Sequence, residues 1–324
     1  LGGDLKNLRT VKQEHYGNWA PILLRVLTFT NKVKIFEIME KVLTAKSAGT
    51  ITIGGDLEVN RFGYGAMRIT GDGVWGPPKD KSQALKVLKK AIDLGINFID
   101  TADSYGPYIS EELIAEALYP YPFDLVIATK GGLERTGPNQ WPINGKPEHL
   151  KFALEGSLKR LKLERIDLYQ LHRFDPNVPI GESLGFLKEM QTKGLIRHIG
   201  ISEVSVEEIE TAGQYIKVES VQNMYNLTER KWEKSLEWCE RNGIAFLPWF
   251  PLAGGNIEAD KMLKKFETKY NANSYQIALS WLLNHSKAIL PIAGTSSPEH
   301  LEENLGALDI HLSKEDLQAL DQLT

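Results

Sequence analysis

Apolar and polar positions repeat on two different periods along this chain. Short, nearly continuous apolar runs recur at Arg61–Gly65, Asn97–Asp100, Leu125–Lys130, Ile166–His172, His198–Ser202, Ser220–Gln222, Ala245–Trp249 and Ile289–Ile292. Between them lie stretches with apolar residues three and four apart, over 80–95, 148–162, 181–193, 205–216, 229–242 and 275–285. The first pattern marks strands buried on both faces, the second helices with one apolar face. In 80–95, Asp80 precedes the first apolar turn with Gln83 three residues on, the spacing of a capping box, and Gly95 supplies the stop. Ahead of the first run, Ile51-Thr52-Ile53, Gly54-Gly55 and Asp56–Val59 read as a β-hairpin, and Ser313–Leu323 reads as a last helix.

Strand runs separated by helices imply parallel strands in an α/β fold. Eight such units in roughly 250 residues is the size of a closed (β/α)8 barrel, a TIM barrel. The competing architecture is an open doubly wound sheet, whose phosphate-binding turn follows the first strand. Gly71–Gly76 does match G-x-G-x-x-G, but Pro77 and Pro78 follow at once. No helix opens on two prolines in that position, so the segment is expected to be a flexible loop. The expected organisation is an N-terminal extension over 1–48 and a barrel over 49–324, with an N-terminal hairpin and a short C-terminal helix.

Composition narrows the class. The 324 residues are 42% hydrophobic and 25% charged, ample for a packed core, and the net charge of −4 contains no long run of one sign. A nucleic-acid partner would leave a basic patch, and the sequence shows none. Cys239 is the only cysteine, so no internal disulfide forms and a reducing, cytoplasmic setting is expected. Without a second cysteine or clustered histidines, no metal site is expected. The apolar run Pro21–Leu27 is short and interrupted by Arg25, so no membrane span is expected. Residues 1–48 carry too many acids for a transit peptide. The first methionine is Met39. One reading is a functional start near it with an upstream extension; the other is an ordinary N-terminal arm.

In a barrel the chemistry gathers at the carboxyl ends of the strands. Those ends carry Asp100 with Tyr105 five residues on, then Lys130, then His172. Each alone has an ordinary explanation as a rim residue, a solvated lysine or a core histidine. Together, on three successive strand ends, they would face one another over one mouth, an arrangement suited to acid–base chemistry.

Asp100-Thr101-Ala102-Asp103-Ser104-Tyr105-Gly106, Ala128-Thr129-Lys130, Asp167–His172 and Gly200-Ile201-Ser202 resemble the aldo-keto reductases, from about residue 49 to the end. The resemblance implies a catalytic tetrad of Asp100, Tyr105, Lys130 and His172. It also implies NADP(H) bound without a Rossmann domain, with NAD(H) as the alternative. Hydride addition to a carbonyl leaves an alkoxide that needs a proton, and a phenol with a pKa of ~10 is a poor donor near neutrality. A neighbouring Lys130 ammonium would lower that pKa, Asp100 would hold Lys130, and neutral His172 would orient the carbonyl oxygen.

By the same resemblance, Ser202 and Gln222 fall where the family holds the nicotinamide carboxamide. Trp249 falls where an aromatic stacks on the nicotinamide, and Leu252, Ala253 and Gly254 where a loop passes the pyrophosphate. Gly294, Thr295, Ser296, His300, Glu303 and Asn304 fall on the adenosine-phosphate site, where Pro298 near a helix start leaves backbone N–H groups for an anion. Two features depart from the family. Gly294 and His300 stand where many relatives place Lys or Arg, and Glu203 stands where Asn is usual. An ionised Glu only accepts hydrogen bonds. Either the cofactor grip is weaker, or Glu203 turns away and leaves the task to Ser202 and Gln222.

Trp75, Tyr108, Trp141, Phe174 and Phe250 are candidate walls of a substrate pocket, Trp141 within the long segment 131–147. The chain ends soon after the last helix, so no long tail is expected over the pocket, and an open aromatic-lined site suits a planar aldehyde. Segments 63–80 and 248–255 resemble most the pyridoxal-reducing branch of the family, which implies reduction of pyridoxal to pyridoxine. Two other readings keep the barrel. One is a cofactor-binding regulatory subunit with little turnover, as the potassium-channel β subunits resemble the same family. The other is a lyase using Lys130 as a Schiff-base nucleophile. Oligomeric state is not legible.

Overall fold

The fold is that of a computed structural model, described here for residues 43–253 and 263–323. The expectations placed on residues 1–42 and on Gly254 lie outside the described residues. The compact body begins at Leu43. Ala45 is buried and its N–H donates to Leu94 O at 2.9 Å, so residues just ahead of the hairpin already belong to the packed unit.

An antiparallel hairpin opens the fold, β1 (Thr50–Ile53) against β2 (Leu57–Asn60). Seven parallel strands follow in sequence order: β3 (Tyr64–Gly65), β4 (Phe98–Asp100), β5 (Val126–Gly131), β6 (Ile166–Leu171), β7 (Ile196–Ser202), β8 (Val218–Gln222) and β9 (Ala245–Phe246). Between the strands from β3 to β9 run α1 (Lys81–Asp93), α2 (Ile109–Leu118), α3 (Pro147–Leu161), α4 (Ile180–Thr192), α5 (Val206–Ala212) and α6 (Glu233–Asn242). After β9 come α7 (Leu263–Tyr270), α8 (Ser274–His285), α9 (Pro298–Leu305) and α10 (Lys314–Leu320). No helix among the described residues is long and apolar enough to cross a membrane.

The eighth run forms no regular strand, because Pro291 has no N–H to give to a ladder. It closes the ring all the same. Leu290 N donates to Phe246 O at 2.9 Å on one side, and Gly63 N donates to Pro291 O at 2.9 Å on the other. Buried Arg61 reinforces the seam. Its Nε donates to Ile289 O at 3.2 Å, and its Nη2 donates to Leu283 O at 3.1 Å and Ser286 O at 2.6 Å, satisfying carbonyls at the end of α8. The result is a (β/α)8 barrel.

Two apolar layers explain why the strand runs read as continuous. Phe98, Val126, Ala128, Leu168, Leu247, Leu290 and Ile292 fill the barrel, and Ile53, Leu57 and Val59 of the hairpin join them as its floor. Alternate residues such as Ile99, Ile127, Tyr169, Ile199 and Val221 belong to the outer layer with Leu88, Leu113, Leu154 and Leu187 of the helices. Each fully buried side chain of this kind contributes about 1.5–3 kcal/mol.

Three local features differ from the sequence expectation. Helix α2 escaped its periodicity because Glu111 is fully buried on its inner side, paired with Arg160 Nε at 2.7 Å and accepting from Thr129 Oγ1 at 2.6 Å. Asp80 caps α1 by accepting from Gln83 N at 2.9 Å, but the Gln83 amide reaches Ser296 O at 3.1 Å, so the cap is one-sided. The Gly71–Gly76 loop opens no helix, as expected, yet it is tied down rather than loose. Gly71 N donates to Gly76 O at 3.0 Å, Gly76 N to Gly106 O at 2.6 Å, and Gly106 N to Val74 O at 3.3 Å.

The floor depends on Gly54, whose φ of +67° is left-handed. A Cβ there would lie 2.1 Å from Cε1 of His198, whose Nε2 is 2.6 Å from Asp56 Oδ1. Gly54→Ala is therefore expected to lower stability by about 2 kcal/mol. A chemical-denaturation midpoint unchanged from the parent would show that the hairpin floor is not seated this way.

Candidate active site

The alternation that fills the barrel also builds the site. On β4, Phe98 points into the barrel and Asp100 follows it at the mouth; on β5, Ala128 is followed by Lys130; on β6, Leu168 is followed by Gln170 and then His172. Parallel register sets Asp100 beside Ala128 and Lys130 beside Gln170. Lys130 Nζ donates to Asp100 Oδ2 at 2.6 Å, to Thr101 O at 2.8 Å and to the Tyr105 hydroxyl at 3.3 Å. His172 lies across Tyr105 with ring centroids 6.0 Å apart and planes at 78°, its Nδ1 3.5 Å from Ser104 Oγ. All four side chains are buried. The structure thus brings together the residues named from the strand ends.

Burial sets the protonation of the group. At Lys130 it favours the neutral amine, but the Asp100 carboxylate and then Tyr105 outweigh it, holding the ammonium above its ordinary range. At Tyr105, burial pushes the phenol above its ordinary value while the Lys130 charge pulls the other way. His172 is held well below its ordinary value, by burial first and then by the charges of Lys130 and Arg173. Near neutrality the imidazole is therefore uncharged and able to donate one N–H. The sole cysteine, Cys239, is buried, and its thiol is pushed up to about 12, so it stays inert.

Around this centre the roles implied by resemblance shift. Asp100 Oδ1 accepts from Gln170 Nε2 at 3.0 Å and from Gln222 Nε2 at 2.8 Å, and Gln222 Nε2 also reaches Gln170 Oε1 at 3.3 Å. The Gln222 amide hydrogens are thus committed to Asp100 and Gln170. Gln170 was missed, although its two-residue spacing from His172 on one strand was the available signal. Ser202 Oγ accepts from Arg173 Nη1 at 3.1 Å, and the same nitrogen donates to His172 O at 2.6 Å. Glu203 turns away. Its backbone is left-handed at φ +58°, a conformation Asn adopts readily and Glu does not. Its carboxylate accepts from Trp249 Nε1 at 2.7 Å and Met224 N at 2.5 Å, so this acid fixes the indole.

A cleft of about 650 Å³ runs from Asp100 and Tyr105 past Trp249, Phe250 and Leu252 to Gly294, Thr295, Ser296, His300, Glu303 and Asn304. Ala253 packs against the outer apolar layer. Gly294 cannot carry a side chain here, since its Cβ would sit 2.4 Å from Gly65 O. That close approach leaves bare backbone in the cleft and excludes any Lys or Arg at this position. Arg68, exposed and unmarked by any motif, lines this end instead. The N–H groups expected at the start of α9 are largely used within the chain. His300 N donates to Ser297 Oγ at 3.2 Å, Leu301 N to Ser297 O at 3.1 Å, and Ser297 N to Thr295 Oγ1 at 3.1 Å. An elongated cleft with Asp100 and Tyr105 at one end and hydroxyls, an amide and a cation at the other fits a phosphate-bearing dinucleotide.

The five aromatic residues divide. Phe250 lines the cleft beside Trp249, whereas Trp141 meets Tyr105 at 6.4 Å and 87° and exposed Trp75 lies near Arg135, neither of them in the cleft lining. Tyr108 and Phe174 do not line it either. Tyr108, at φ +71° ahead of α2, lies beneath the Arg160 guanidinium at 4.2 Å, and Phe174 packs into the outer apolar layer.

Fold and site together define a barrel oxidoreductase built on a Tyr–Lys–Asp–His group. The sequence model of the aldo/keto reductase family matches residues 61–324, and the chain belongs to that family. It is 52% identical over 279 residues to an uncharacterized oxidoreductase of Schizosaccharomyces pombe, covering 86% of this chain and 90% of that one. It is 40% identical over 284 residues to pyridoxine 4-dehydrogenase of Escherichia coli, covering 86% and 99%. Among solved structures, glycerol dehydrogenase from Gluconobacter oxydans superposes with a TM-score of 0.77 at 27% identity, over 85% of this chain and 95% of that one. An aldo/keto reductase from Klebsiella pneumoniae in complex with NADP and acetate gives 0.71 at 25% identity, over 85% and 94%.

The depressed His172 has a measurable consequence. In the unfolded chain this imidazole takes up a proton as pH falls through its ordinary value of 6.5, whereas in the folded chain it stays neutral to lower pH. The folded state binds fewer protons in that window, so His172 lowers stability as pH falls below the ordinary value. His172→Gln is expected to flatten part of the acid loss of stability between about pH 6.5 and 5. Parallel stability–pH curves for the two proteins would contradict a neutral buried His172.

Proposed function

We propose that this chain is an NADP(H)-dependent reductase of aldehydes and ketones, with Tyr105 as proton donor and planar aromatic aldehydes such as pyridoxal as its substrate class. The observation that carries the reading is Lys130 Nζ held between Asp100 Oδ2 at 2.6 Å and the Tyr105 hydroxyl at 3.3 Å. NADPH, when bound along the cleft, supplies the hydride. Ser202 and the Gln222 carbonyl would meet its carboxamide, Trp249 its nicotinamide face, and Thr295, Ser296 and Asn304 its adenosine end.

The chain's own residues then manage the proton. Neutral His172 donates to the substrate carbonyl oxygen and orients it toward Tyr105. As the carbonyl carbon gains the hydride, its oxygen takes the Tyr105 proton and becomes the alcohol. The phenolate left behind faces the Lys130 ammonium, which stabilises it until solvent returns a proton. Asp100 keeps Lys130 charged and in place.

Similarity to a pyridoxine 4-dehydrogenase and to a structure holding NADP supports the substrate class and the cofactor. The Schiff-base alternative is disfavoured, since a lysine nucleophile must be neutral, and Lys130 is held as an ammonium with all three donors used. A regulatory subunit without turnover has no need of four mutually placed acid–base groups, and the departure at Glu203 is accounted for by its bonds to Trp249 and Met224.

NADPH oxidation measured over a panel of aldehydes, including pyridoxal and nitrobenzaldehyde, tests the reading. Tight NADPH binding with no oxidation by any member would favour the regulatory role. Tyr105→Phe is expected to lower kcat about a thousandfold while leaving the Kd for NADP+ within about twofold. Lys130→Met should lower kcat by a similar factor, and a change confined to KM would refute its role in tuning Tyr105.

A further inference from the structure

One side chain outside the tetrad is bonded more completely than any ordinary loop residue requires. Arg135 lies in the segment after β5, and its five N–H groups all donate to main-chain carbonyls. Nε reaches Gln140 O at 2.9 Å; Nη1 reaches Val74 O at 2.6 Å and Ser104 O at 2.8 Å; Nη2 reaches Gly73 O at 3.0 Å and Gly137 O at 3.2 Å. These carbonyls belong to three separate loops, those following β3, β4 and β5. Ser104 is the residue before Tyr105.

The guanidinium plane is also a platform. Arg135 Cζ lies 3.6 Å from the Trp141 ring centroid and 5.5 Å from that of Trp75. Trp141 in turn meets Tyr105 at nearly a right angle, with ring centroids 6.4 Å apart. The loop bearing both residues folds back on itself through pairing of Leu133 with Ile143 and Gly137 with Gln140. Arg135 has no carboxylate partner among the described residues, so its bonding is directional rather than ionic. A planar fork with five donors suits that task, and a lysine with three donors on a point charge does not.

We propose that Arg135 is a positioning residue for substrate selection. It locks the three loops together and holds Trp141 as a flat aromatic wall beside the Tyr105 ring. The wall selects planar aromatic carbonyl compounds over small aliphatic ones. This inference rests on the reductase reading above, and it adds the residue and the contact that set the preference.

The experiment compares the parent with Arg135→Lys, Trp141→Ala and the double variant. It measures NADPH oxidation with nitrobenzaldehyde and with propanal, together with the Kd for NADPH from tryptophan fluorescence. Both single variants should lower the nitrobenzaldehyde-to-propanal ratio of kcat/KM by about tenfold, mostly through KM for the aromatic substrate. The double variant should match the singles, since Arg135 acts through Trp141. The NADPH Kd should stay within about twofold, which reports an intact fold and cofactor site. An unchanged ratio in Arg135→Lys overturns the proposal, as does an equal loss on both aldehydes or a multiplicative loss in the double variant. Binding of nitrobenzyl alcohol to the NADP+ complex gives a readout without turnover. If the parent oxidises no NADPH, the reductase reading fails. The wall is then judged by whether Arg135→Lys and Trp141→Ala each weaken that binding about tenfold, and unchanged binding overturns it.

Discussion

The buried ion pair between Lys130 and Asp100 is the constraint on which the rest of the site depends. Taking two charges out of water costs several kcal/mol per ion, and the loss is recovered only when every donor and lone pair finds a partner. Here they do. The three ammonium hydrogens reach Asp100, Thr101 O and Tyr105, and the second carboxylate oxygen accepts from Gln170 and Gln222. The Tyr105 hydroxyl is the neutral oxygen that the third ammonium hydrogen reaches. The network that satisfies the charges therefore also fixes the Tyr105 hydroxyl and sets its electrostatics.

The barrel delivers that network through simple alternation. On β4, β5 and β6 the inward face is apolar low in the barrel and polar at the mouth, so the transition from Phe98 to Asp100 is repeated from Ala128 to Lys130 and from Leu168 to His172. Closure matters as much as alternation. The irregular seam at 288–292, braced by Arg61, brings Gly65 and Gly294 into contact distance and so shapes the far end of the cleft. A residue usually read as a cofactor contact is glycine here because two stretches of backbone meet at that point.

The loops add a second layer of bonding with a different logic. Around Arg135 the partners are carbonyl oxygens, and around Glu203 they are an indole N–H and a backbone N–H. In both cases one charged side chain satisfies main-chain or aromatic groups that would otherwise be unpaired near the mouth. The same bonds orient Trp141 toward Tyr105 and Trp249 along the cleft. Rigidity of the aromatic walls thus comes from polar bonds beneath them rather than from apolar packing alone.

Much of this was legible in the chain itself. The strand runs, most helices, the hairpin, and Asp100, Tyr105, Lys130 and His172 follow from local periodicity and from the rule that a barrel presents its strand ends together. These depend on spacing along the chain, which a sequence displays directly. Other features depend on what lies opposite in space. Glu111 hid the helical face of α2 because its partners, Arg160 and Thr129, are distant in sequence. The Gln222 amide points to Asp100, and Gln170 joins it there, because parallel register places β6 and β8 around one carboxylate. Tyr108 and Phe174 look like pocket aromatics, yet only the folded backbone shows one turned to Arg160 and the other to the helices. The residues able to do chemistry were set by sequence; which of them meet, and which side chains are consumed in holding them, was decided by tertiary structure, since hydrogen-bond partners and exclusion from water belong to the packed fold.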